Sequence, residues 1–309
     1  MLPSGKAAAR PCFPGEDEIG MNQMTGYSRI FGGKLQIDGG ALKMIAVVTM
    51  FIDHLTLCFL EVVKGPDGRA ILYSIPYGKV LDRIGRGIGR TAFPIFCFMV
   101  VEALIYTRSR VSYLVRMLLF AAISHYPFNW MIFSGSEKIH CSVMATLALG
   151  FLAVWIMDAM AGACLGRQYT IRAYKGLDPV PEEERGQPVG SCGLYGNRFV
   201  NIAVFGIVSV SSCAGFCGLA AAAHTDYRYG GVLLVVIFYL LYRIRDLSLA
   251  AGWAWISYYN ESELLAFPGF LLLKCYNGKK GMQNKYFFYI FYPAHLLLLY
   301  LVRRALFGA

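Results

Sequence analysis

The chain has 309 residues, of which 57% are hydrophobic, 15% aromatic and only 16% charged, with a formal net charge of +10. Soluble domains carry about 25% charged residues, and a water-soluble fold of this length has too little interior to hide so much apolar surface. A cytosolic enzyme, a disordered chain and, with an odd count of 9 cysteines, a disulfide scaffold are all excluded. The basic excess fits short loops against anionic lipid. Aromatic-basic alternation and finger spacings are absent, so no nucleic-acid partner is expected.

Residues 1–36 form a polar, glycine-rich N-terminal segment with Glu16, Asp17 and Glu18. It lacks the basic-then-apolar pattern of a cleaved leader, so the first span is expected to insert uncleaved. Residues 37–309 read as one integral-membrane domain. A crossing needs about 20 apolar residues in a helix. The first such run is Ala41 to Leu60. The second is Ala92 to Tyr106, with a start near Ile84 also allowed. The third is Tyr113 to Phe133 and the fourth Cys141 to Ala163. Residues 165–198 form a Pro- and Gly-rich flexible loop. Spans five and six are Phe199 to Ala223 and Tyr229 to Tyr242. Leu247 to Leu273 is irregular, either two short spans or one broken one, and the last span is Tyr286 to Val302. The expectation is an all-α polytopic bundle of eight to ten transmembrane helices. Basic clusters after the second, fourth and sixth spans place the N-terminus in the cytoplasm. The basic run Lys79, Arg83, Arg86 and Arg90 lies on the opposite side, a misfit that means either that the rule is weak in this chain or that those side chains line a polar cavity.

Ionisable groups at membrane depth must face a cavity or a partner. Lys43 and His54 lie eleven residues apart on one helix face, roughly 16 Å along the axis. Lys43 is placed to meet a headgroup or a ligand phosphate while His54 acts deeper. Histidine suits acyl transfer, because it accepts a proton from an amine or hydroxyl and returns one to a leaving thiolate. Asp53 lies about 100° round the helix from His54, so it is free to bind a neighbouring helix. Arg90, at the mouth of the second span, is placed to hold a phosphate or to fix Asp53. Glu102 lies deeper in that span. His125 precedes the helix-kinking Pro127, and a kink opens room for a ligand. His224, Asp226 and Tyr227 form a compact polar connection. Asn277, Lys279 and Lys280 sit in a glycine-flanked basic turn of the kind that holds a diphosphate. His295, after Pro293, is the second histidine at depth. Cys213 and Cys217 lack a histidine or carboxylate partner and read as packing, so no metal is expected.

With these residues in hand, a family resemblance emerges. IDGGALKMIAVVTMFIDHL (37–55), GRTAFPIFCFMVVEALIYTRSRVSYLVRMLLFAAISHYPF (89–128), HTDYRYGGVLLV (224–235), YNGKKG (276–281) and KYFFYIFYPAHLLLLY (285–300) resemble the TraX family, named for the conjugative pilin acetylase. The family is grouped with integral-membrane acyltransferases similar to O-antigen acetylases. The resemblance therefore implies an acyltransferase-3-like bundle in a bacterial inner membrane. It also implies acetyl-CoA as co-substrate, entering from the cytoplasm. A basic residue, ten others and a histidine mark that group's first span, here Lys43 and His54. The base or acyl-relay role falls to His54, with Asp53 and His295 beside it. Arg90, Arg116 and Lys280 are candidate phosphate contacts. The acceptor is an amine or hydroxyl on pilin, a glycan, a lipid or a small molecule. Two other readings fit the bare residues: a proton-coupled transporter or flippase, and a structural assembly factor for a surface appendage.

Overall fold

A computed structural model describes residues 36–65, 67–133, 140–281 and 285–308. The expectations for residues 1–35 lie outside the described residues. Helix α1, Gly39–Thr56, starts where the Asp38 carboxylate accepts the backbone N–H of Ala41 at 2.8 Å, satisfying a donor that the first turn leaves open. It continues as a π-helical stretch, Leu57–Val62. Amphipathic α2, Gly78–Arg90, runs with hardly a break into α3, Ala92–Tyr106. Then follow α4, Arg110–Phe133, and α5, Val143–Met160, the latter extended by a π-helical turn at Ala161–Leu165. Residues between that turn and α6, Arg198–Ala222, hold only short helical turns. Next come α7, Arg228–Leu240, α8, Arg245–Tyr259, the 3-10 turn Glu261–Ala266, α9, Phe267–Lys274, and α10, Lys285–Phe307. Pairing between extended segments is limited, among the described residues, to isolated bridges such as Ile37 with Tyr276.

The protein is all-α and multi-span. Among the described residues six stretches are long and apolar enough to cross a membrane: 39–62, 78–106, 110–133, 143–165, 198–222 and 286–307. The rest of the eight to ten expected helices are shorter. The 13 residues of α7 reach about 20 Å, less than the roughly 30 Å of hydrocarbon. The helix is instead enclosed by protein, with Val232, Leu234, Val235 and Phe238 inaccessible to solvent. The irregular stretch after α7 resolves into α8, the 3-10 turn and α9.

Helices α3, α5 and α7 form the interior, and α6 stands at the periphery with little of its apolar length buried. Such an uncovered face is what lipid replaces. The chain's up-and-down path gives two ends. The first holds the start of α1 and the 275–281 turn, joined by hydrogen bonds from Ile37 N to the Cys275 carbonyl (3.0 Å) and from Gly39 N to the Lys279 carbonyl (2.8 Å). The second holds α2, the 223–228 connection and the 261–266 turn. There the fully buried Arg303 of α10 donates to the carbonyls of Trp130 and Met131, closing orphan acceptors at the C-terminal end of α4.

Helices α1 and α2 touch through Gly85 and Gly89, one turn apart. A Cβ at Gly85 would strike the Thr56 side chain, and one at Gly89 would strike the Asp53 carboxylate. Small residues permit this close backbone approach in a membrane bundle. Gly89→Ala is expected to force α2 off α1 and to cost about 1–3 kcal/mol, the usual penalty of overpacking. A thermal melt in detergent checks this, with Gly87→Ala, which meets only the flexible Leu265 side chain, as the milder control.

Candidate functional site

The structure brings His54 of α1 and His295 of α10 together. Nδ1 of His54 lies 2.7 Å from Nε2 of His295, and the rings stack at 5.0 Å with 16° between their planes. Both residues are buried, among the rings of Phe51, Phe291 and Tyr292. Nδ1 of His295 lies 2.8 Å from the Phe291 carbonyl. A carbonyl only accepts, so that nitrogen carries a proton. In the neutral ring, Nε2 of His295 is then an acceptor and Nδ1 of His54 must donate to it. Nε2 of His54 is left with its lone pair, and no group among the described residues hydrogen-bonds to it. The pair therefore fixes a tautomer: it presents one imidazole base, on one atom.

Asp53, the next residue on α1, turns to α2. Its carboxylate accepts from Nη1 of Arg86 at 2.7 Å, and Nε of Arg86 meets Glu61 at 3.1 Å. Glu61 belongs to the π-helical stretch after α1. One guanidinium thus ties both ends of the last two turns of the first span, and the basic run that looked misplaced in sequence is partly accounted for. Arg90 pairs with Glu263 of the 261–266 turn, and its Nη1 lies 3.4 Å from the Tyr227 hydroxyl. Glu263 is fully buried, and that burial pushes its carboxyl up to about 7, with Arg90 opposing the rise. The Tyr227 ring stacks on Phe93. Asp226 is exposed to solvent, with neighbouring protein displacing part of its water. That desolvation raises its carboxyl to about 6, with Arg90 pulling the other way and Asp53 adding to the rise. Asp226 is also within electrostatic reach of Tyr292, which packs on the histidine pair. The sequence-chosen Asp53, His54, Arg90, Asp226, Tyr227 and His295 therefore occupy one polar region toward the second end.

Lys43 and Glu102 lie toward the first end. Lys43 is within electrostatic reach of Lys280 and of Glu102, and its Nζ stands 5.9 Å from the Phe288 ring centroid. Glu102, deep in its span as its position predicts, is buried. Its two oxygens accept the hydroxyls of Tyr242 and Tyr276. Asn277 shapes the 276–281 turn: its Oδ1 accepts the backbone N–H of Lys279 at 2.9 Å and its own N–H reaches the Ile37 carbonyl. The Gly281 backbone, at φ +65°, passes against Asp38. The turn thus buttresses the start of α1 and holds Lys280 near Lys43.

Three expected site residues stand apart. Arg116 lies over the Tyr289 ring between α4 and α10. His125 packs on Tyr126. His224, in a left-handed backbone conformation at φ +45°, faces His140 at 5.7 Å between ring centroids. Among the described residues no group of three or more His, Cys, Asp or Glu is placed to hold a metal ion. Arg86, Glu61, Glu263, Tyr242 and Tyr276 are partners that spacing alone does not single out. Only the basic run before α3 hinted at Arg86.

No solved structure matches this chain. It is 27% identical over 268 residues to a protein of Dichelobacter nodosus described as "Probable fimbrial assembly protein FimC, serogroup H1", an alignment covering 84% of this chain and 92% of the relative. The family described as "TraX protein" matches residues 38–166 and 199–303. Those two stretches contain both histidines, the Arg86 clasp, the Arg90–Glu263 pair and the basic turn, and leave out 167–198. By the extent of that match, this multi-span helical membrane protein belongs to the TraX family.

Proposed function

We propose that this chain is a membrane-embedded acetyltransferase that moves the acetyl group of acetyl-CoA to an amine or hydroxyl acceptor. The observation that carries the reading is the His54–His295 pair, which presents Nε2 of His54 as a base with a fixed tautomer. The acceptor nitrogen or oxygen attacks the thioester carbonyl and forms the new C–N or C–O bond. Nε2 of His54 takes the proton that the acceptor loses. The C–S bond breaks, and the departing thiolate receives that proton from His54. Asp53 positions the helix turn that carries His54, through Arg86.

Lys43 and Lys280 supply the charge for the coenzyme phosphates. Two ammonium groups held within reach of each other favour an anion between them. Lys279 adds to the same field, and Asn277 shapes the turn. Arg90 stands twelve residues, about 18 Å of helix, from Glu102, so it serves the acceptor end and not the same phosphates. The basic first end faces the cytoplasm of a bacterial inner membrane, where acetyl-CoA is made. The relative's printed role in fimbrial assembly supports a fibre subunit as acceptor, its N-terminal amine being the group the TraX resemblance implies.

Purified protein incubated with labelled acetyl-CoA and an envelope extract is expected to release CoA and to label an acceptor. Folded protein that releases no CoA above background with any extract would overturn the reading. In the same assay Lys280→Ala is expected to raise the KM for acetyl-CoA about tenfold, the worth of one charge-assisted contact, while leaving kcat nearly unchanged.

A further inference from the structure

At the first end, away from the histidine pair, a cavity of ≈ 380 Å³ opens between the α3–α4 turn, the end of α5 and the 167–178 segment. Arg108, Arg110 and Arg172 line it against two carboxylates, Asp158 and Asp178. The carboxylates hold the guanidinium groups in place and do not exhaust them. Asp158 is buried and fully engaged: Oδ1 takes the Ile171 N–H at 2.8 Å and lies 3.3 Å from the Tyr239 hydroxyl, and Oδ2 takes Nη2 of Arg110 at 2.7 Å. Arg172 gives Nε to Asp178 and Nη1 to the Ile105 carbonyl at 2.7 Å. Each guanidinium has five donors in a rigid fork, so both keep N–H groups to spare. Arg108 is exposed at the rim and makes no ion pair among the described residues. The start of α4, capped by Ser109, adds its positive pole. Trp155, Val111, Ala159 and Gly162 give the cavity an apolar side, with Thr107 and Thr170 completing the lining, and Val111 is 58% exposed.

We propose that this cavity is a phosphate-binding site separate from the acetyl-transfer centre, taking the phosphate of an anionic phospholipid whose acyl chain lies along Val111 and Trp155, or a soluble phosphate ester. Three arginines gathered at the first end, two of them held by carboxylates, beside the apolar Val111 and Trp155 match the headgroup-and-tail geometry of a lipid. A phosphate ester shares the headgroup chemistry alone.

The test uses the full chain in detergent, with bound lipid read by native mass spectrometry during titration with phosphatidylglycerol or with zwitterionic phosphatidylcholine. Adenosine 3′,5′-bisphosphate and inorganic phosphate serve as soluble competitors. Phosphatidylglycerol is expected to bind at least tenfold tighter than phosphatidylcholine. Arg108→Ala, which removes no structural contact, is expected to weaken it about tenfold. Arg172→Lys, which keeps the charge but loses the fork, is expected to weaken it by less. Binding in His54→Ala is expected to be unchanged, which separates this site from the proposed chemistry. Displacement by the soluble phosphates without lipid preference supports the site with a soluble ligand. Equal binding of both lipids with no competition, or a phosphatidylglycerol affinity unmoved by Arg108→Ala and Arg108→Glu, overturns it.

Discussion

His54→Ala is expected to lower acetyl transfer about 10²- to 10⁴-fold, the span that a positioned general base contributes, in a protein that still elutes and melts as a folded bundle. The expectation rests on proton accounting within the pair. His295 commits Nδ1–H to the Phe291 carbonyl and Nε2 to His54. The neutral pair holds two protons, and the one site left for a third is Nε2 of His54. Acidification therefore removes the base, and kcat/KM is expected to fall on the acid side with an apparent constant that belongs to the pair, not to either ring.

The same accounting makes His295 a positioning residue with its own signature. His295→Ala leaves the His54 Nδ1–H buried without an acceptor and lets the ring change tautomer. His295→Gln offers an amide oxygen to that N–H. Activity in the glutamine variant is expected to exceed that in the alanine variant, with the acid limb retained. Equal activity in all three variants and the parent would remove both rings from the chemistry.

Much of this arrangement was legible in the residues, and the rest was hidden for definable reasons. Span positions follow from apolar run length, a local property. Lys43 and His54 share a face because helix periodicity is fixed. The meeting of His54 with His295 joins residues 241 apart; each ring was visible as a polar group at depth, but their hydrogen bond depends on how α1 and α10 pack. Glu102 was visible as a carboxylate deep in its span, but its pairing with the hydroxyls of Tyr242 and Tyr276 joins residues at least 140 apart. Glu263 sat in an irregular stretch that gave no face to read. Its partner Arg90 had a plausible phosphate role, and only the fold shows a carboxylate already there. The run Tyr229 to Tyr242 was already short for a crossing; its enclosure as α7 was concealed because hydropathy cannot distinguish a helix buried in protein from one buried in lipid.

The Arg90–Glu263 pair carries the second large effect, on stability. Glu263 is 0% exposed and Arg90 is its ion-pair partner. Arg90→Ala leaves a buried carboxylate uncompensated, a change worth about 3–5 kcal/mol. The loss must depend on pH. Burial already holds the Glu263 carboxyl up at about 7 against the pull of Arg90, above the roughly 4.3 of an exposed glutamate. A carboxyl raised in the folded state binds its proton more tightly than the unfolded chain does. Its favourable contribution is complete below the unfolded value and is lost as pH climbs through the folded one. Without Arg90 the folded value rises further, so the Arg90→Ala protein is expected to be nearest to the parent at pH 5 and to lose melting temperature progressively toward pH 8, more steeply than the parent. Adding Glu263→Gln to Arg90→Ala removes the ionisable group and is expected to flatten that slope and recover most of the lost stability. A double variant that melts as low as Arg90→Ala across this range would show that Arg90 stabilises the bundle through contacts other than Glu263.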